Sequence, residues 1–318
     1  MKIAVTGSSG FIGARLVEKL TKDGHQVVPV DTASETPVDI MDRMALANAC
    51  AGCDAIYHLA AAHRDDIFPR SLYYEINGGG TKNVIDAARA NGIEKIIFTS
   101  TFAVYGLDSG TPDEITPPAP FNDYGRSKLE AEQHLKLWAK NTEGASLTIV
   151  RPVVVFGEGN KGNVNTLIDQ IDRGRFMMIG NGTNKKSMAY VGNVVDFLAH
   201  TLNEKPGTHL YNYADKPDFD MTELVDIICT RLNKPKTPFH LPFALGLSAG
   251  FVFDGIARIT RRNLPISSVR VRKFCADTTC TADKCRDAGF TPQYTLKDGI
   301  ERMIDADFRP QSKPAKAA

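Results

Sequence analysis

The chain has 318 residues, 42% of them hydrophobic and about half apolar once its 26 glycines are added, with 38 basic against 37 acidic side chains. This is the composition of a globular chain of one large or two modest domains, at roughly 100–200 residues per domain, and it excludes a disordered or collagen-like chain. A net charge of +1 lacks the markedly basic balance of a nucleic-acid binder, so no nucleic-acid partner is expected.

From the N-terminus, Met1-Lys2 leads straight into Ile3-Ala4-Val5-Thr6 with no charged and apolar regions of a secretory signal peptide, and a cytoplasmic location is expected. There the cysteines (Cys50, Cys53, Cys229, Cys275, Cys280, Cys285) stay reduced, and no His stands near Cys50-Ala-Gly-Cys53 at zinc-finger spacing. Buried structural thiols and no metal are expected. Short apolar runs over Lys2–Thr6, Gln26–Val30, Ala55–Leu59, Lys95–Thr99 and Leu147–Val150 predict strands. Between them, Phe11–Lys22, Glu75–Asn91 and Tyr124–Lys140 carry apolar residues at helical spacing. This alternation predicts an α/β fold, a Rossmann-type doubly wound parallel sheet.

After Arg151-Pro152 the pattern loosens into loops at 157–162 and 180–186, a short helix at 164–172, and amphipathic helices at 222–232 and 295–305. A smaller, mostly helical C-terminal substrate domain is expected. The sequence divides as 1–160 with 187–213 for the nucleotide-binding domain, 161–186 with 214–308 for the substrate domain, and 309–318 as a disordered basic tail. Within the second part, 238–253 carries no formal charge, yet its 16 residues fall short of the ~20 that span hydrocarbon, and Pro242 interrupts it. Followed by Arg258, Arg261 and Arg262, the 238–262 segment reads equally as a core helix or as peripheral membrane contact on the cytoplasmic face.

The strand Lys2–Thr6 runs directly into Gly7-Ser-Ser-Gly10-Phe11-Ile12-Gly13 and then a helix. Glycines at a strand-to-helix turn let backbone approach a pyrophosphate, the helix N-terminus supplies N–H groups for the anion, and Gly13 allows close helix packing. Asp31 closes the second strand eighteen residues past Gly13, where a carboxylate accepts ribose hydroxyls and repels a 2′-phosphate. No Arg follows in Thr32-Ala-Ser-Glu35, so NAD is expected over NADP. Farther on, Tyr124 and Lys128 stand four apart in Tyr124-Gly-Arg-Ser-Lys128, one helical turn, on one face. An ammonium beside a phenol lowers the Tyr pKa from about 10 and makes it a usable base.

With these residues the chain resembles the extended short-chain dehydrogenase/reductase family, in its NAD-dependent epimerase/dehydratase branch. The matching residues run over nearly the whole chain: Thr6–Gly13, Asp39-Ile40, His58-Leu-Ala-Ala61, Asn77 with Gly80-Thr81, Thr99-Ser100-Thr101 before Val104-Tyr-Gly106, Tyr124–Lys128 and Arg151-Pro152. The resemblance implies catalysis by Thr101, Tyr124 and Lys128, with Thr101 bonding the reacting sugar oxygen. It implies cofactor contacts from Gly7, Gly10, Phe11, Ile12, Gly13, Asp31, Asp39, Ile40, Leu59, Ala60, Ala61, Asn77, Ser100, Tyr124, Lys128 and Pro152. Where dehydratases and decarboxylases of that family carry an acid or base after the Thr, this chain has Phe102 and Ala103. Oxidation at C4 with return of the hydride, or a net reduction or oxidation, remains.

Further strings, among them Ala61-Ala-His-Arg-Asp-Asp66, Gly162-Asn-Val164, Lys186-Ser-Met-Ala-Tyr-Val-Gly-Asn193 and Ser267–Cys275, look like the subgroup of 4-epimerases acting on N-acetylglucosaminyl-diphospho-undecaprenol in O-antigen synthesis. That subgroup implies a lipid-linked amino sugar as substrate, bound by His63, Arg64, Thr101, Asn163, Lys186 and Arg272, with Arg270 as an alternative to Arg272. A nucleotide-linked sugar, a net 4-reductase and a non-enzymatic dinucleotide sensor are the competing expectations, and the intact Tyr/Lys pair weighs against the last. A homodimer is compatible with the sequence.

Overall fold

The computed structural model describes residues 1–64, 66–106, 109–236, 240–260 and 268–309. Of the tail predicted at 309–318, Arg309 is described and bonds the carbonyls of Ile304 and Arg231, while residues 310–318, Arg261 and Arg262, and the side chains of Arg258 and Arg270 lie outside the described residues. The chain divides into two compact units, one of Met1–Val155, Ala189–Asp215 and Cys280–Tyr294, the other of Phe156–Met188, Lys216–Thr279 and Thr295–Ala318.

The first unit is built on β1 (Lys2–Thr6), β2 (Gln26–Val30), β3 (Ala55–His58), β4 (Lys95–Thr99), β5 (Ser146–Pro152) and, later in the chain, β9 (Gly207–Tyr213). They form one six-stranded sheet in the order β2-β1-β3-β4-β5-β9, and every pairing is parallel. A parallel sheet is covered on both faces, so its inner strands must be apolar on both sides, which is why Ile3-Ala-Val5, Ala55-Ile-Tyr57 and Ile96-Ile-Phe98 are continuous buried runs. Helices α1 (Phe11–Lys22), α2 (Arg43–Ala49), α4 (Gly80–Ala90), α5 (Asp123–Lys140) and α7 (Val191–His200) supply the cover. Val84, Ala88, Ala131, Leu135 and Trp138 pack with Ile56, Ile96 and Phe98 in a single core cluster.

Two differences from the sequence pattern have local causes. The helix predicted over 75–91 begins instead as a short α3 (Ser71–Tyr73) and a π-helical turn, Tyr74–Gly79, before α4. Within that turn the buried Asn77 side chain bonds both the N–H and the C=O of Ala62, and π-turns concentrate where a side chain must be re-aimed. The sixth strand, β9, had no apolar run to announce it: as an edge strand it opens on exposed Gly207 and Thr208, and only its last residues are buried.

The chain moves from β1 out to β2 and returns to β3 on the other side of β1. In open parallel sheets such a switch point leaves a crevice at the carboxyl ends of the strands, where ligands bind. Residues 7–13 follow β1 and residues 59–61 follow β3 at that crevice.

The second unit holds α6 (Asn163–Asp172), a two-stranded pairing of β7 (Met178–Ile179) with β11 (His240–Leu241), α8 (Met221–Leu232), α9 (Phe243–Thr260), α10 (Ser268–Cys275) and α12 (Leu296–Asp307). Strands β6 (Val154–Phe156), β8 (Lys185–Tyr190) and β10 (Asp215–Asp220) make a three-stranded sheet through which the chain passes from one unit to the other. Capping boxes start α8, from Asp220 and Glu223, and α12, from Thr295 and Asp298. Cys280–Tyr294, with its short α11 (Asp283–Asp287), groups with the first unit, although the pattern had placed it with 214–308. Phe290 packs on Phe197 with ring centroids 5.1 Å apart, and the Cys285 thiol donates to the carbonyl of Asn212 at 3.0 Å.

The turn after β1 is packed backbone on backbone. A Cβ at Gly13 would sit 2.0 Å from the Gly7 carbonyl oxygen, and both partners are backbone. Gly13→Ala is therefore expected to cost about 1–3 kcal/mol, several degrees in Tm. It should also weaken NAD binding, since the turn must open to admit the methyl. Thermal unfolding with and without NAD measures both effects.

Candidate active site

At the end of β1, Gly7 has φ +71°, and a Cβ there would meet the Ala60 backbone nitrogen at 2.7 Å, so the turn and the strand-β3 extension are in backbone contact. Its position is fixed by a chain of polar groups beneath it. Thr6 Oγ1 accepts the N–H groups of Leu59 and Ala60, each at 3.2 Å, and donates to His58 Nδ1 at 2.8 Å. His58 Nε2 donates to Thr81 Oγ1 at 2.9 Å, and Thr81 donates to the Asn77 carbonyl at 2.5 Å. Burial pushes His58 down to about 3, with the charge of Lys128 adding to the effect, so the ring is neutral.

These residues fit a dinucleotide. The Ser8 hydroxyl is buried at the turn with no hydrogen-bond partner among the described residues. The N-cap of α1 is Gly10, which has no side chain to accept the first-turn N–H groups, so they remain available to an anion. Asp31 is held at the end of β2, its Oδ2 accepting from Ser9 N at 3.0 Å and its Oδ1 from Ala33 N at 2.9 Å. Asp39 accepts from Met41 N at 2.9 Å, and Ile40 is buried against Gly80.

The catalytic candidates meet around α5. Asn122 caps that helix, its side chain accepting from Gly125 N at 2.8 Å. Gly125 lets the helix approach the 3₁₀ turn Phe102–Tyr105, since a Cβ there would lie 2.6 Å from the Ala103 carbonyl oxygen. Tyr124 is thereby brought beside the segment that starts at Thr101, whose Oγ1 accepts from Ala103 N at 3.2 Å. The half-buried Tyr124 ring lies 6.5 Å from that of Tyr73. One turn on, Lys128 is 1% exposed, with Nζ 4.0 Å from the centroid of the Phe98 ring. Burial pushes its ammonium down to about 7, against the opposing charge of Glu132.

Comparison with known proteins identifies the family. Residues 3–214 match the model of the NAD dependent epimerase/dehydratase family. The chain belongs to that family. It is 46% identical, over 96% of its length and 95% of the relative's, to the N-acetyl-alpha-D-glucosaminyl-diphospho-ditrans,octacis-undecaprenol 4-epimerase of Escherichia coli O157:H7. It is 31% identical, over 96% and 94%, to the UDP-glucose 4-epimerase of Vibrio cholerae. Among solved structures, MoeE5 in complex with UDP-glucose and NAD superposes with a TM-score of 0.77 at 23% identity, covering 98% of this chain and all of that one, a likeness of fold.

As in its family, the cofactor of this NAD dependent epimerase is NAD, but not every residue expected to touch it is aimed outward. Asn77 is 1% exposed, and Nδ2 donates to the Ala62 carbonyl at 3.0 Å and to Ser127 Oγ at 2.8 Å. With its amide so engaged, Asn77 braces Ala62 and α5 from within. Ser100 turns its hydroxyl inward as well, to Glu132 Oε1 at 2.6 Å. Pro152 ends β5, and Phe102 lies 5.3 Å from Tyr105 with no acid or base at 102 or 103.

Of the substrate candidates, His63 is exposed with Nδ1 3.3 Å from the Ala61 carbonyl, and Arg64 pairs with Asp66 at 2.8 Å. In the second unit, Asn163 opens α6 and is exposed. Lys186 donates to the Ala276 carbonyl just past α10, and burial pushes it down to about 8 against the charge of Asp277. The exposed Arg272 holds its guanidinium 5.8 Å from the centre of the Phe251 ring.

Among the described residues no group of three His, Cys, Asp or Glu could hold a metal ion, and the thiol of Cys50 is pushed up to about 12 by burial. The sequence pattern gave Glu132 no role, and Arg151 none beyond its place in the Arg151-Pro152 match. A Glu at the next turn of the Tyr124–Lys128 face was the available signal, because a charge on the buried side of a helix must have a partner.

Burying Lys128 opposes folding. Its folded pKa is depressed, so below about 7 the folded state carries the full cost of a buried charge, and that cost falls as pH rises toward 10.5. Lys128→Met is expected to abolish turnover yet raise stability at pH 6 by a few kcal/mol. The gap from wild type should close as pH rises, as read from denaturant midpoints between pH 6 and 10.

Proposed function

We propose that this chain is a 4-epimerase of N-acetylglucosamine carried on a polyprenyl diphosphate, interconverting the gluco and galacto forms. The observation that carries the reading is the 46% identity, end to end, with an enzyme named for that reaction. Two features favour it: Tyr124 and Lys128 stand one turn apart on α5, which packs through Gly125 on the 3₁₀ turn that follows Thr101, and Phe102 and Ala103 carry no acid or base for elimination or decarboxylation.

When bound, NAD supplies a hydride acceptor at C4 and gives the hydride back, so no net redox follows. The protein's own part is proton transfer and positioning. Tyr124 takes the proton of the C4 hydroxyl and later returns one, its phenolate favoured by the Lys128 ammonium one turn away. Thr101 donates to the same sugar oxygen. The rings of Tyr73 and Phe98 lower the dielectric around the pair, which strengthens each of these interactions. Asp31 selects NAD over NADP by occupying the place of a 2′-phosphate. Lys186 and Arg272 supply cations for the substrate diphosphate through charge-assisted hydrogen bonds.

A lipid-linked substrate calls for contact with a membrane surface, and α9 offers one. No helix among the described residues is long and apolar enough to cross a membrane. Phe243, Leu245, Phe251 and Val252 are 42%, 58%, 53% and 62% exposed, and Ser248 and Ala249 complete an uncharged stripe between them. Phe253 is half-buried, so the lipid-facing pair is Phe251 and Val252. Arg272, whose guanidinium carbon lies 5.8 Å from the centre of the Phe251 ring, sets the cation that serves the diphosphate beside this apolar stripe.

Purified protein incubated with GlcNAc-diphospho-undecaprenol is expected to yield the galacto product, with little conversion of UDP-GlcNAc. Full activity on UDP-GlcNAc alone sinks the substrate assignment. Tyr124→Phe should lower kcat about 100- to 10,000-fold while leaving the NAD affinity measured by titration unchanged. Replacing both Phe251 and Val252 by Ser should weaken co-sedimentation with anionic liposomes at least about tenfold, from the loss of two apolar side chains. Unaltered sedimentation removes α9 from the membrane.

A further inference from the structure

Glu132 is 0% exposed, and its carboxylate is saturated. Oε1 accepts from Ser100 Oγ at 2.6 Å and from Arg151 Nε at 2.8 Å; Oε2 accepts from the second guanidinium nitrogen of Arg151 at 2.6 Å and lies 3.4 Å from Lys136 Nζ. Arg151, 1% exposed, gives its remaining terminal nitrogen to Tyr105 OH at 2.8 Å, and Tyr105 donates to Asn212 at 2.8 Å. Burial alone would raise the pKa of Glu132, but Arg151 and Ser100 outweigh it and hold the carboxyl below its ordinary range.

The placement is specific. Tyr124, Lys128 and Glu132 occupy successive turns of α5 at intervals of four, so they share a face. Ser100 immediately precedes Thr101, and Arg151 immediately precedes Pro152. One carboxylate therefore ties the carboxyl ends of β4 and β5 to the helix that carries the base. A structural cross-link between helix and sheet had no need of a charge: an apolar contact would hold the helix at lower cost, since buried ion pairs are often no better than well-packed hydrocarbon.

We propose that Glu132 is a positioning residue of the active site, which sets Thr101 opposite Tyr124 through Ser100 and supplies the counter-charge beneath Lys128. This rests on the reading of Tyr124 as the base. Lys128 Nζ lies 4.0 Å from the centre of the Phe98 ring on β4; its charge acts on His58 of β3, and the charge of Glu132, on its own helix, acts on Lys128. Glu132 in turn faces Arg151 from β5, Ser100 after β4, and Lys136. His58 is neutral, so Glu132 is the anion that holds the proton on Lys128.

The test uses the NAD-loaded enzyme and two readouts. Lysine ¹³Cε NMR, with the Lys128 signal assigned by its loss in Lys128→Met, gives the Lys128 titration midpoint without any substrate. Glu132→Gln should lower that midpoint by at least one pH unit, and the alkaline limb of kcat should move down with it. Glu132→Asp, which keeps the charge and shortens the arm, should leave the midpoint in place and lower kcat about tenfold with KM unchanged. If Glu132→Gln does not fold, Ser100→Ala leaves the ion pair intact and should lower kcat about tenfold without moving the midpoint. A merely structural Glu132 would lower Tm in these variants and leave both midpoint and kcat at wild-type values, and that result overturns the proposal. Because the midpoint is read without turnover, a failure of Tyr124 as base appears separately, as an active Tyr124→Phe.

Discussion

The architecture of the first unit turns on the cost of removing a carboxylate and a guanidinium from water together. Each ion alone would lose several kcal/mol of hydration, and the pair is tolerated only when its hydrogen-bonding groups are matched. Glu132 and Arg151 meet that condition with partners from β4, β5, α5, the 3₁₀ turn and β9. The condition leaves little freedom: a shift of any of these elements would strand a buried charge. The candidate site residues inherit their placement from it, because Thr101, Tyr124, Lys128 and Pro152 lie one residue or one to two helical turns from a member of the network.

Around that polar knot the packing is apolar and close. Phe98 lies under Lys128 and against His58, with centroids 5.3 Å apart, and Tyr73 stands beside Tyr124. Water is thus kept from one side of the reacting groups, while Gly125 removes the methyl that would hold the helix away from Ala103. Phe102, its ring tilted 53° to that of Tyr105, fills with hydrocarbon the position that follows Thr101.

Sequence reading went furthest where local rules apply. Five strands with short apolar runs, the glycine-rich turn, Asp31 and the Tyr–Lys pair obey short-range patterns, and each stands where those patterns put it. β9 escaped because an edge strand has no need of an apolar face on every side. The π-turn escaped because it answers to Ala62, far along the chain from Asn77. Ser100 and Asn77 were legible as members of a motif, but the direction of their side chains was not. Direction depends on partners such as Glu132 and Ser127 that come together only in the folded sheet. The return of Cys280–Tyr294 to the first unit likewise depends on Phe197 and Asn212, residues with no marker in the segment itself.

The row of polar groups from Ala60 to Asn77 has one more property. It starts at backbone N–H groups, which only donate, and ends on a carbonyl, which only accepts, so every hydroxyl and imidazole proton along it has a single allowed orientation. A file of hydrogen bonds that cannot be reversed conducts no proton. It behaves as a strut: tension applied at the cofactor turn is passed through Thr6, His58 and Thr81 to the π-turn without any change of charge. With an imidazole that stays neutral down to about pH 3, that strut keeps its length through the range in which Lys128 loses its proton.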